Sequence, residues 1–385
     1  MADGLWPIDK SFAISHQPLA MTSALTASAV KQQARSLGFD ACGVAPAANH
    51  PELRFFREWL ARGYAGEMAY LHRTADRRAD VRRVLPSAQT VIVTATVYNT
   101  PSPYSTECAD PARAHIARYA WGDDYHEVIG ARLESLLAWM RDASPVPFEA
   151  RVYVDTGPVQ ERVYAQHAGV GWIGKNTCVI NPDLGSWVFL GVIICSLPLA
   201  LDAPSFDQCG TCTLCLEACP THALVAPGVL DSTRCISYLT IELRGDMPEE
   251  HRAGVGSHVY GCDVCQEVCP WNAAAPRSDD AAWQPRTAWD RVDLLTLAGR
   301  SDDELTAALH NSSMRRTKLQ GLRRNIDVAL ENSAGLRTRD GRSAGRQSVS
   351  QNRVSAGVRL PPSREASADR HSLGDGGQPD PTESA

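Results

Sequence analysis

The sequence predicts an α+β protein in which a cysteine-organised segment follows a mixed domain of helices and strands. Helical and strand patterns alternate over 21–205, closely spaced cysteines dominate 206–275, and helical periodicity resumes over 276–332. Such alternation is typical of α/β and α+β domains. The 385 residues accommodate two or three units on a prior of about 150 residues per domain.

Apolar spacing sets each predicted element in turn. Apolar residues at a period near 3.6 indicate helices, and short runs of β-branched residues indicate strands. In chain order we predict a helix that carries Ala27, Val30, Ala34 and Leu37 on one face and ends near Gly38, a strand at 40–44, a helix at 51–63, a strand at 90–97, a helix at 125–141, a strand at 151–154, a helix at 158–168, a strand pair at 178–180 and 186–194, and helices at 301–309 and 318–330.

Both ends of the chain are predicted to lie outside the folded units. Residues 1–20 form a loose extension, and 333–385 contain no aromatic residue and are rich in Ser, Arg, Gly, Asp and Pro. Such a tail buries too little apolar surface to offset its ordering entropy, which predicts disorder over 333–385.

Composition is ordinary for a globular protein, with 44% apolar and 21% charged residues. The longest apolar stretch, 187–200, is shorter than the roughly 20 residues that cross a bilayer, so we predict a buried strand there. The N-terminal residues lack a basic start followed by an apolar run, from which we expect a cytoplasmic protein. A net charge of −6 excludes a protein that is basic overall but leaves room for a local basic surface.

Cysteine spacing carries the strongest chemical signal. Cys209 begins a C-x2-C-x2-C-x3-C-P run that ends at Pro220, and a shorter run extends from Cys262 to Pro270. The first run is typical of bacterial ferredoxins, in which the fourth cysteine binds the neighbouring cluster. Cys235, the only cysteine between the runs, completes eight ligands for two 4Fe-4S clusters. We assign one cluster to Cys209, Cys212, Cys215 and Cys269, and the other to Cys219, Cys235, Cys262 and Cys265.

Structural zinc is the alternative, because it also uses C-x2-C pairs. A zinc site needs four ligands in two pairs, whereas the first run places four thiolates in close succession before a proline. Iron–sulfur clusters therefore fit this spacing better. The four cysteines that are not among these eight ligands are predicted to be small buried apolar side chains: Cys42, Cys108, Cys178 and Cys195.

The domain upstream of the cysteines must use the electrons, since a simple electron carrier would need only the cysteine segment. Within that domain Asp155 follows a predicted strand and precedes a predicted helix. Side chains at strand ends often meet ligands. Asp155 could equally cap the helix that follows it, and the residues alone leave both roles open.

Several motifs in the same order resemble epoxyqueuosine reductase over about 21–330. They are RYAWGDDYH at 118–126, VDTGP at 154–158, GVGWIGKN at 169–176, the ferredoxin run, RCISYLT at 234–240 and YGCDVCQEVCPWN at 260–272. The resemblance implies a cobalamin-binding α/β domain akin to that of reductive dehalogenases over 21–205. It also implies a ferredoxin-like domain with two clusters over 206–275, and a helical region over 276–332.

The resemblance also implies roles for individual residues. Asp155 matches the proposed proton donor of the family. Cobalamin contacts fall on Arg78, Asp155, Val179, Leu190, Ser237 and Gly261. No D-x-H-x-x-G signature of histidine-ligated cobalamin is present, so His126 is expected to be a supporting or structural residue instead of a cobalt ligand.

The implied reaction converts the epoxide of epoxyqueuosine in tRNA to the alkene of queuosine. It removes oxygen as water and consumes two electrons and two protons. The leaving oxygen needs an acid within hydrogen-bond reach, and a cofactor performs the difficult electron chemistry. A partly buried site beside the corrin should raise the pKa of Asp155 and keep its carboxyl protonated near neutrality.

The resemblance also implies that a basic segment near the start of the last predicted helix binds the phosphates of the tRNA anticodon stem-loop. Its residues are Arg315, Arg316, Lys318 and Arg324. A second arginine-dense stretch lies at 73–83. We expect a monomer with an electron donor that the sequence does not identify. The alternatives are a corrinoid reductase of a small molecule, similar to reductive dehalogenases, and a two-cluster electron-transfer protein.

Overall fold

The computed structural model describes residues 25–343, with side chains described to residue 335. The predicted extension 1–20 and most of the predicted tail lie outside this range. The helices are α1 Ala27–Ser36, α2 Pro51–Ala61, α3 Ala69–Arg73, α4 Ala75–Arg78, α5 Tyr125–Ala143, α6 Glu161–His167, α7 Leu214–Ala218, α8 Ile236–Ile241, α9 Glu249–Val255, α10 Val264–Glu267, α11 Leu294–Gly299, α12 Asp302–Leu309 and α13 Lys318–Ser343.

The strands are short outside one central sheet. They are β1 Ala41–Pro46, β2 Thr90–Val97, β3 His115–Ile116, β4 Ala150–Tyr153, β5 Trp172–Ile173, β6 Val179–Ile180, β7 Val188–Cys195, β8 Leu224–Ala226, β9 Val229–Leu230 and β10 His258–Tyr260. Single 3₁₀ turns cover Val81–Arg83, Ser105–Glu107, Arg118–Ala120, Ser232–Arg234, Pro270–Asn272, Ala281–Trp283 and Ser313–Thr317.

The central sheet has four antiparallel strands in the order β1-β2-β7-β4. Every residue of β2 is buried, because helices cover both faces of the sheet. Ile92 and Ile193 face a core that includes α5, whereas Val93 and Val192 face a core that includes α6. The unbroken apolar run of β2 thus follows from burial on both faces.

Helix α5 fixes the position of its own N-terminus against this sheet. Asp124 caps the helix, since its carboxylate accepts the backbone N–H of His126 at 3.1 Å. Leu133 packs over Gly191 of β7, where a Cβ would lie 2.7 Å from the Leu133 side chain. A larger residue at 191 would therefore push α5 away from the sheet and displace the residues at its N-terminal end.

The cysteine-rich segment is joined to the helix–strand domain by backbone pairing. Strand β10 lies between the two cysteine runs and pairs in parallel with β3. The backbone N–H of Arg118 donates to Asp263 Oδ2 at 2.5 Å. A third core then unites both regions with the C-terminal helices, through residues such as Ile116, Val259 and Leu322.

The structure confirms most predicted elements to within three residues. The predicted strand at 90–97 is β2, and the five buried positions of α5 include Ile129 and Met140 as its spacing requires. The predicted pair of 178–180 with 186–194 is wrong, because β6 pairs with β5 while β7 enters the central sheet. Helix α13 continues to Ser343, into the tail predicted to be disordered. Helices α3, α4 and α7 to α11 were not predicted.

The apolar stretch at 187–200 contributes strand β7, as its length suggests. Between residues 25 and 343, no helix combines the length and the apolar character that a membrane crossing would require.

Candidate active site

A cavity of about 400 Å³ opens between the sheet domain and the cysteine-rich segment. One wall is apolar and comes from β6 and β7, with Val179, Phe189 and Leu190. Thiols also line the cavity, and the side chains of Asp155 and Glu161 reach the same space. Thiols and carboxyl groups therefore share one cavity.

The second predicted group of cysteines lines this cavity. Cys219, Cys235, Cys262 and Cys265 all contribute to its wall. A fifth thiol lies there as well, because Cys178 is hydrogen-bonded to Cys265, a contact that lowers the pKa of Cys178. Sequence analysis placed Cys178 among buried apolar residues, and the structure instead places it half-buried at the cavity wall.

The first predicted group of cysteines surrounds a separate cavity of about 40 Å³. Cys209, Cys212, Cys215 and Cys269 line it together with Trp271. The structure thus brings together both sets of four cysteines that the sequence assigned. No three His, Cys, Asp or Glu side chains in 25–335 are arranged to hold a single metal ion.

Two neighbouring residues of the GVGWIGKN motif hold the two cysteine loops. Lys175 Nζ donates to the carbonyls of Gly210 at 2.6 Å and Cys212 at 2.8 Å. Asn176 Nδ2 donates to the carbonyl of Cys265 at 3.2 Å. At the level of sequence this motif indicates only the family resemblance. Its adjacent Lys and Asn, in a glycine-rich turn that precedes the first cysteine run, were the available signal.

The donor sets fit the implied cofactors. Eight thiols in two groups of four are the ligand type and number that two cubane clusters require. The larger cavity pairs an apolar strand wall with the second thiol group, so a flat, largely apolar macrocycle could lie between the two. Residues of this chain therefore suit both kinds of group.

Asp155 projects into the cavity from the end of β4. Its backbone is left-handed, with φ at 55°, and its N–H donates to Glu161 Oε1 at 2.8 Å. Its carboxylate lies 3.6 Å from His126 Nε2, and 67% of the side chain is accessible. Asp155 therefore does not cap α6 with its side chain.

The expectation of a raised pKa at Asp155 is wrong. Partial burial does raise it, but contacts with the His126 ring and the Tyr125 hydroxyl outweigh burial, so the pKa of Asp155 is lowered. The pKa is raised at two neighbours of Asp155. Burial and the charge of Asp155 raise the pKa of Glu161 to about 8. Burial opposes charging of His126, yet Asp124 and Asp155 raise its pKa to about 9.

Glu161→Gln is expected to remove a pH-dependent loss of stability. The Glu161 carboxyl has a folded pKa of about 8 against an ordinary value of 4.5. Its stabilising contribution is therefore complete below about pH 4.5 and is lost as the pH rises to about 8. Across that window we expect the variant to gain roughly 2 kcal/mol relative to the parent, allowing for partial exposure. Urea unfolding at several pH values measures this gain, with exposed Glu134→Gln as the control; a pH-independent difference would contradict it.

The other predicted cofactor contacts divide into two sets. Val179, Leu190 and Ser237 line the large cavity. Arg78 does not line this cavity; it is half-buried, and its guanidinium donates to Thr74 Oγ1 at 3.0 Å and to the Val159 carbonyl at 3.0 Å. The corrin contact predicted for Arg78 would therefore share this guanidinium with protein partners.

Gly261 does not line the cavity and instead shapes the turn before Cys262. Its φ is 65°, its N–H donates to Thr240 Oγ1 at 2.9 Å, and a Cβ would lie 2.5 Å from Ala117 Cβ. Only glycine fits both the left-handed backbone and this close approach.

The predicted RNA-contacting residues differ in their partners. Arg315 and Lys318 are exposed, and among the described residues neither side chain forms an ion pair. Arg316 is paired with Glu242 at 2.9 Å and lies over the Tyr70 ring at 5.2 Å. Arg324 is half-buried and donates to the carbonyls of Leu239, Leu243 and Gly245, so it secures the end of α8.

The remaining cysteines are only partly as predicted. Cys195 is fully buried, in agreement with its predicted role in the core. Cys42 and Cys108 are half-buried. Cys42 packs beside the core that covers one face of the central sheet.

The fold and the site define an iron–sulfur oxidoreductase with a mixed helix–strand domain built onto a cysteine segment. A family model described as "4Fe-4S double cluster binding domain" matches residues 208–272, and one described as "Epoxyqueuosine reductase QueG, DUF1730" matches residues 78–156. The chain belongs to the epoxyqueuosine reductase family. The epoxyqueuosine reductase of Gloeobacter violaceus is 45% identical over 315 residues, which are 79% of this chain and 96% of that protein. The Synechocystis enzyme is 42% identical over 294 residues, 75% of this chain and 100% of that protein.

Solved structures of this family have a similar fold. An epoxyqueuosine reductase crystallised with an epoxyqueuosine-modified stem loop of tRNA-Tyr superposes with a TM-score of 0.71 at 30% identity, over 80% of this chain and 81% of that chain. The Bacillus subtilis enzyme, solved with its catalytic aspartate loop swung out of the active site, gives 0.69 at 29% identity, over 80% and 81% of the two chains.

Proposed function

We propose that this chain reduces epoxyqueuosine to queuosine at the wobble position of tRNA, with cobalamin and two 4Fe-4S clusters. The single observation that carries this proposal is the cavity that Asp155 lines together with the thiols of the second cysteine group. Family membership supports the reaction, because relatives that match over three quarters of this chain carry the name of that enzyme.

The reaction requires electrons and protons to meet at one carbon–oxygen bond. The epoxide accepts two electrons and two protons, and it yields an alkene and one water. Cobalamin, when bound, supplies a strongly reducing cobalt that accepts single electrons and can deliver a pair. The cysteine groups would hold the clusters that supply single electrons, and the residues of the cavity hold the substrate and move the protons.

Asp155 is proposed as the residue that protonates the leaving oxygen. It stands at the end of a strand on a short loop whose backbone Glu161 holds through one hydrogen bond. Sites supported by strands and helices position acids more precisely than free loops do. The solved Bacillus subtilis relative, in which a catalytic aspartate loop swings out, supports a mobile acid at the corresponding step of that protein.

The proposed corrin contacts surround the cavity. Val179 and Leu190 supply apolar lining, and Ser237 lines the same cavity together with Cys235. Arg78 and Gly261 are proposed at its edge, the first for charge and the second for the turn before Cys262. The cluster proposed for the first cysteine group, around Cys209 and Cys212, would receive electrons from an unidentified donor and pass them to the cluster of the second group.

tRNA is the proposed substrate partner, and the crystallised relative with a tRNA stem loop supports it. The chain is proposed to act as a monomer in the cytoplasm. We further propose the division into 21–205 for the cofactor, 206–275 for the clusters and 276–332 for part of the tRNA surface.

Arg315→Ala and Lys318→Ala are expected to weaken tRNA binding in a salt-dependent way. Each exposed cation neutralises one phosphate, so each loss should reduce the slope of log K against log salt by about 0.9. The affinity at low salt should fall several-fold, whereas kcat at saturating tRNA should change little. Filter binding or fluorescence anisotropy between low and moderate salt measures both quantities.

Arg141→Ala is the matched control for this prediction. Arg141 is an exposed arginine near the C-terminal end of α5, about 24 Å along the helix from Tyr125 at the cavity. Its removal changes net charge equally but should leave the salt slope intact. Equal effects of all three substitutions would mean that only overall charge matters and would remove the proposed contact.

Anaerobic reconstitution tests the proposed reaction directly. The protein is loaded with iron, sulfide and cobalamin, reduced, and incubated with tRNA that carries epoxyqueuosine. Nucleoside mass analysis should show the loss of one oxygen. Protein that holds iron but takes up no corrinoid would be a simple electron carrier. Corrinoid-loaded protein that reduces an organohalide and leaves tRNA unchanged would be a reductive dehalogenase.

A further inference from the structure

Three ionisable side chains form a row that ends at the proposed acid. Asp124, the N-cap of α5, lies 2.7 Å from His126 Nδ1. The other ring nitrogen, Nε2, faces Asp155 Oδ2 at 3.6 Å. Nε2 is buried and has no hydrogen-bond partner among the described residues. The ring is thus held by one carboxylate and directed at the other.

The stoichiometry of the reaction gives this row a purpose. Reduction of one epoxide delivers two electrons and two protons to a single oxygen, which departs as water. A carboxyl group carries at most one proton, and the lowered pKa of Asp155 leaves it ionised near neutrality. Asp155 must therefore receive each proton that it passes to the oxygen, and a donor within reach of its carboxylate has to supply it.

Neighbouring groups other than His126 are poorly placed for this task. Burial raises the pKa of the Tyr125 hydroxyl well above its ordinary value, which makes it a weak acid near neutrality. Glu161 is directed to the backbone N–H of Asp155 through Oε1 at 2.8 Å. His126 alone combines a titratable ring with a nitrogen facing the carboxylate.

His126 can itself be recharged. Its side chain is 27% accessible, which exposes part of the ring to water although Nε2 is buried, while the Asp124 side chain is only 11% accessible. Asp124 stabilises the imidazolium and fixes the ring orientation, as second carboxylates do for catalytic histidines. At 3.6 Å the contact with Asp155 exceeds a hydrogen bond, so a small rotation of the Asp155 carboxylate precedes transfer.

We propose that His126 supplies Asp155 with the protons of each turnover, and that Asp124 orients its ring. This role rests on the proposed function. Each proton passes from His126 Nε2 to the Asp155 carboxylate and from there to the leaving oxygen, which departs as water after the second. After each transfer His126 is left neutral and regains its proton from water.

The competing interpretation is that Asp124 and His126 merely cap α5. Asp124 does accept the backbone N–H of His126 at 3.1 Å, and any residue at 126 would keep that bond. A structural role therefore predicts no effect of the ring on proton chemistry. The test must follow the proton as well as the rate.

Kinetics of His126→Gln provide the first readout. Glutamine keeps a donor at this position but cannot release a proton. We expect kcat with tRNA at pH 7 to fall about 10²-fold with little change in KM, in the range of general acid catalysis. The parent rate should decline as the pH rises through about 9, where His126 loses its proton, and this decline should disappear in the variant. His251→Gln, on α9, is the matched control.

Chemical rescue and an activity-independent readout complete the test. Imidazole should restore His126→Ala in proportion to the imidazolium fraction. In the NMR titration of the parent, the His126 ring should show a pKa near 9, and Asp155→Asn should lower it. A ring that titrates near 6.5, or ignores Asp155→Asn, overturns the proposal. Full activity of His126→Gln overturns this role alone. A parent inactive on tRNA overturns the proposed function and the role with it.

Discussion

Asp155→Asn is expected to reduce turnover of epoxyqueuosine-containing tRNA by about 10³-fold, within the range of general acid catalysis. Asparagine has nearly the same shape and tolerates the left-handed backbone that Asp155 adopts at φ 55°, so the loop should keep its conformation. The hydrogen bond from the backbone N–H at 155 to Glu161 should persist as well. The change therefore removes the carboxylate that accepts and passes on protons, and little else.

Cofactor content distinguishes this outcome from a folding defect. The variant should bind iron and corrinoid like the parent and should bind tRNA with unchanged affinity. Asp142→Asn, at an exposed position near the end of α5, is the matched control. Normal turnover by Asp155→Asn would remove Asp155 from the mechanism, and loss of iron would make the rate uninterpretable as proton chemistry.

Cys235→Ser is expected to lose about half of the bound iron, because one of two clusters lacks its fourth thiolate. Cys235 lines the large cavity with Cys219, Cys262 and Cys265. Turnover should then stop, since electrons no longer reach the cavity. Iron analysis and electron paramagnetic resonance of the reduced protein measure the loss.

Cys178→Ser is the matched control, and it decides which thiol is the fourth ligand of the second group. Cys178 also lies at the cavity wall and contacts Cys265. We expect this variant to retain both clusters. If Cys178→Ser loses iron while Cys235→Ser retains it, the assignment of ligands from sequence spacing is wrong.

Local pattern predicted most of the secondary structure, because the central elements are strongly periodic. The strand β2 and the buried face of α5 follow directly from apolar spacing. The pairing of β6 could not be predicted in this way. A two-residue strand carries too little pattern to specify its partner, and its pairing with β5 follows from the packing around it.

The groups of the site divide in the same manner. Cysteine spacing predicted two groups of four cysteines, and the fold places one group around each of two cavities. The spacing is informative because binding of a compact cluster requires short, fixed intervals between its ligands. The partners of Lys175 and Asn176 could not be assigned at that level. Their partners are backbone carbonyls of distant loops, and no sequence interval encodes such contacts.

The amino-acid sequence by itself determined the iron–sulfur chemistry, the family and the position of Asp155, because each depends on residue types at short intervals. Only the tertiary structure decided where the protons reside. Asp155 has a lowered pKa while His126 and Glu161 have raised ones, and this distribution arises from side chains that three separate segments bring within a few ångströms. Proton affinity depends on burial and on neighbouring charge, and the fold sets both.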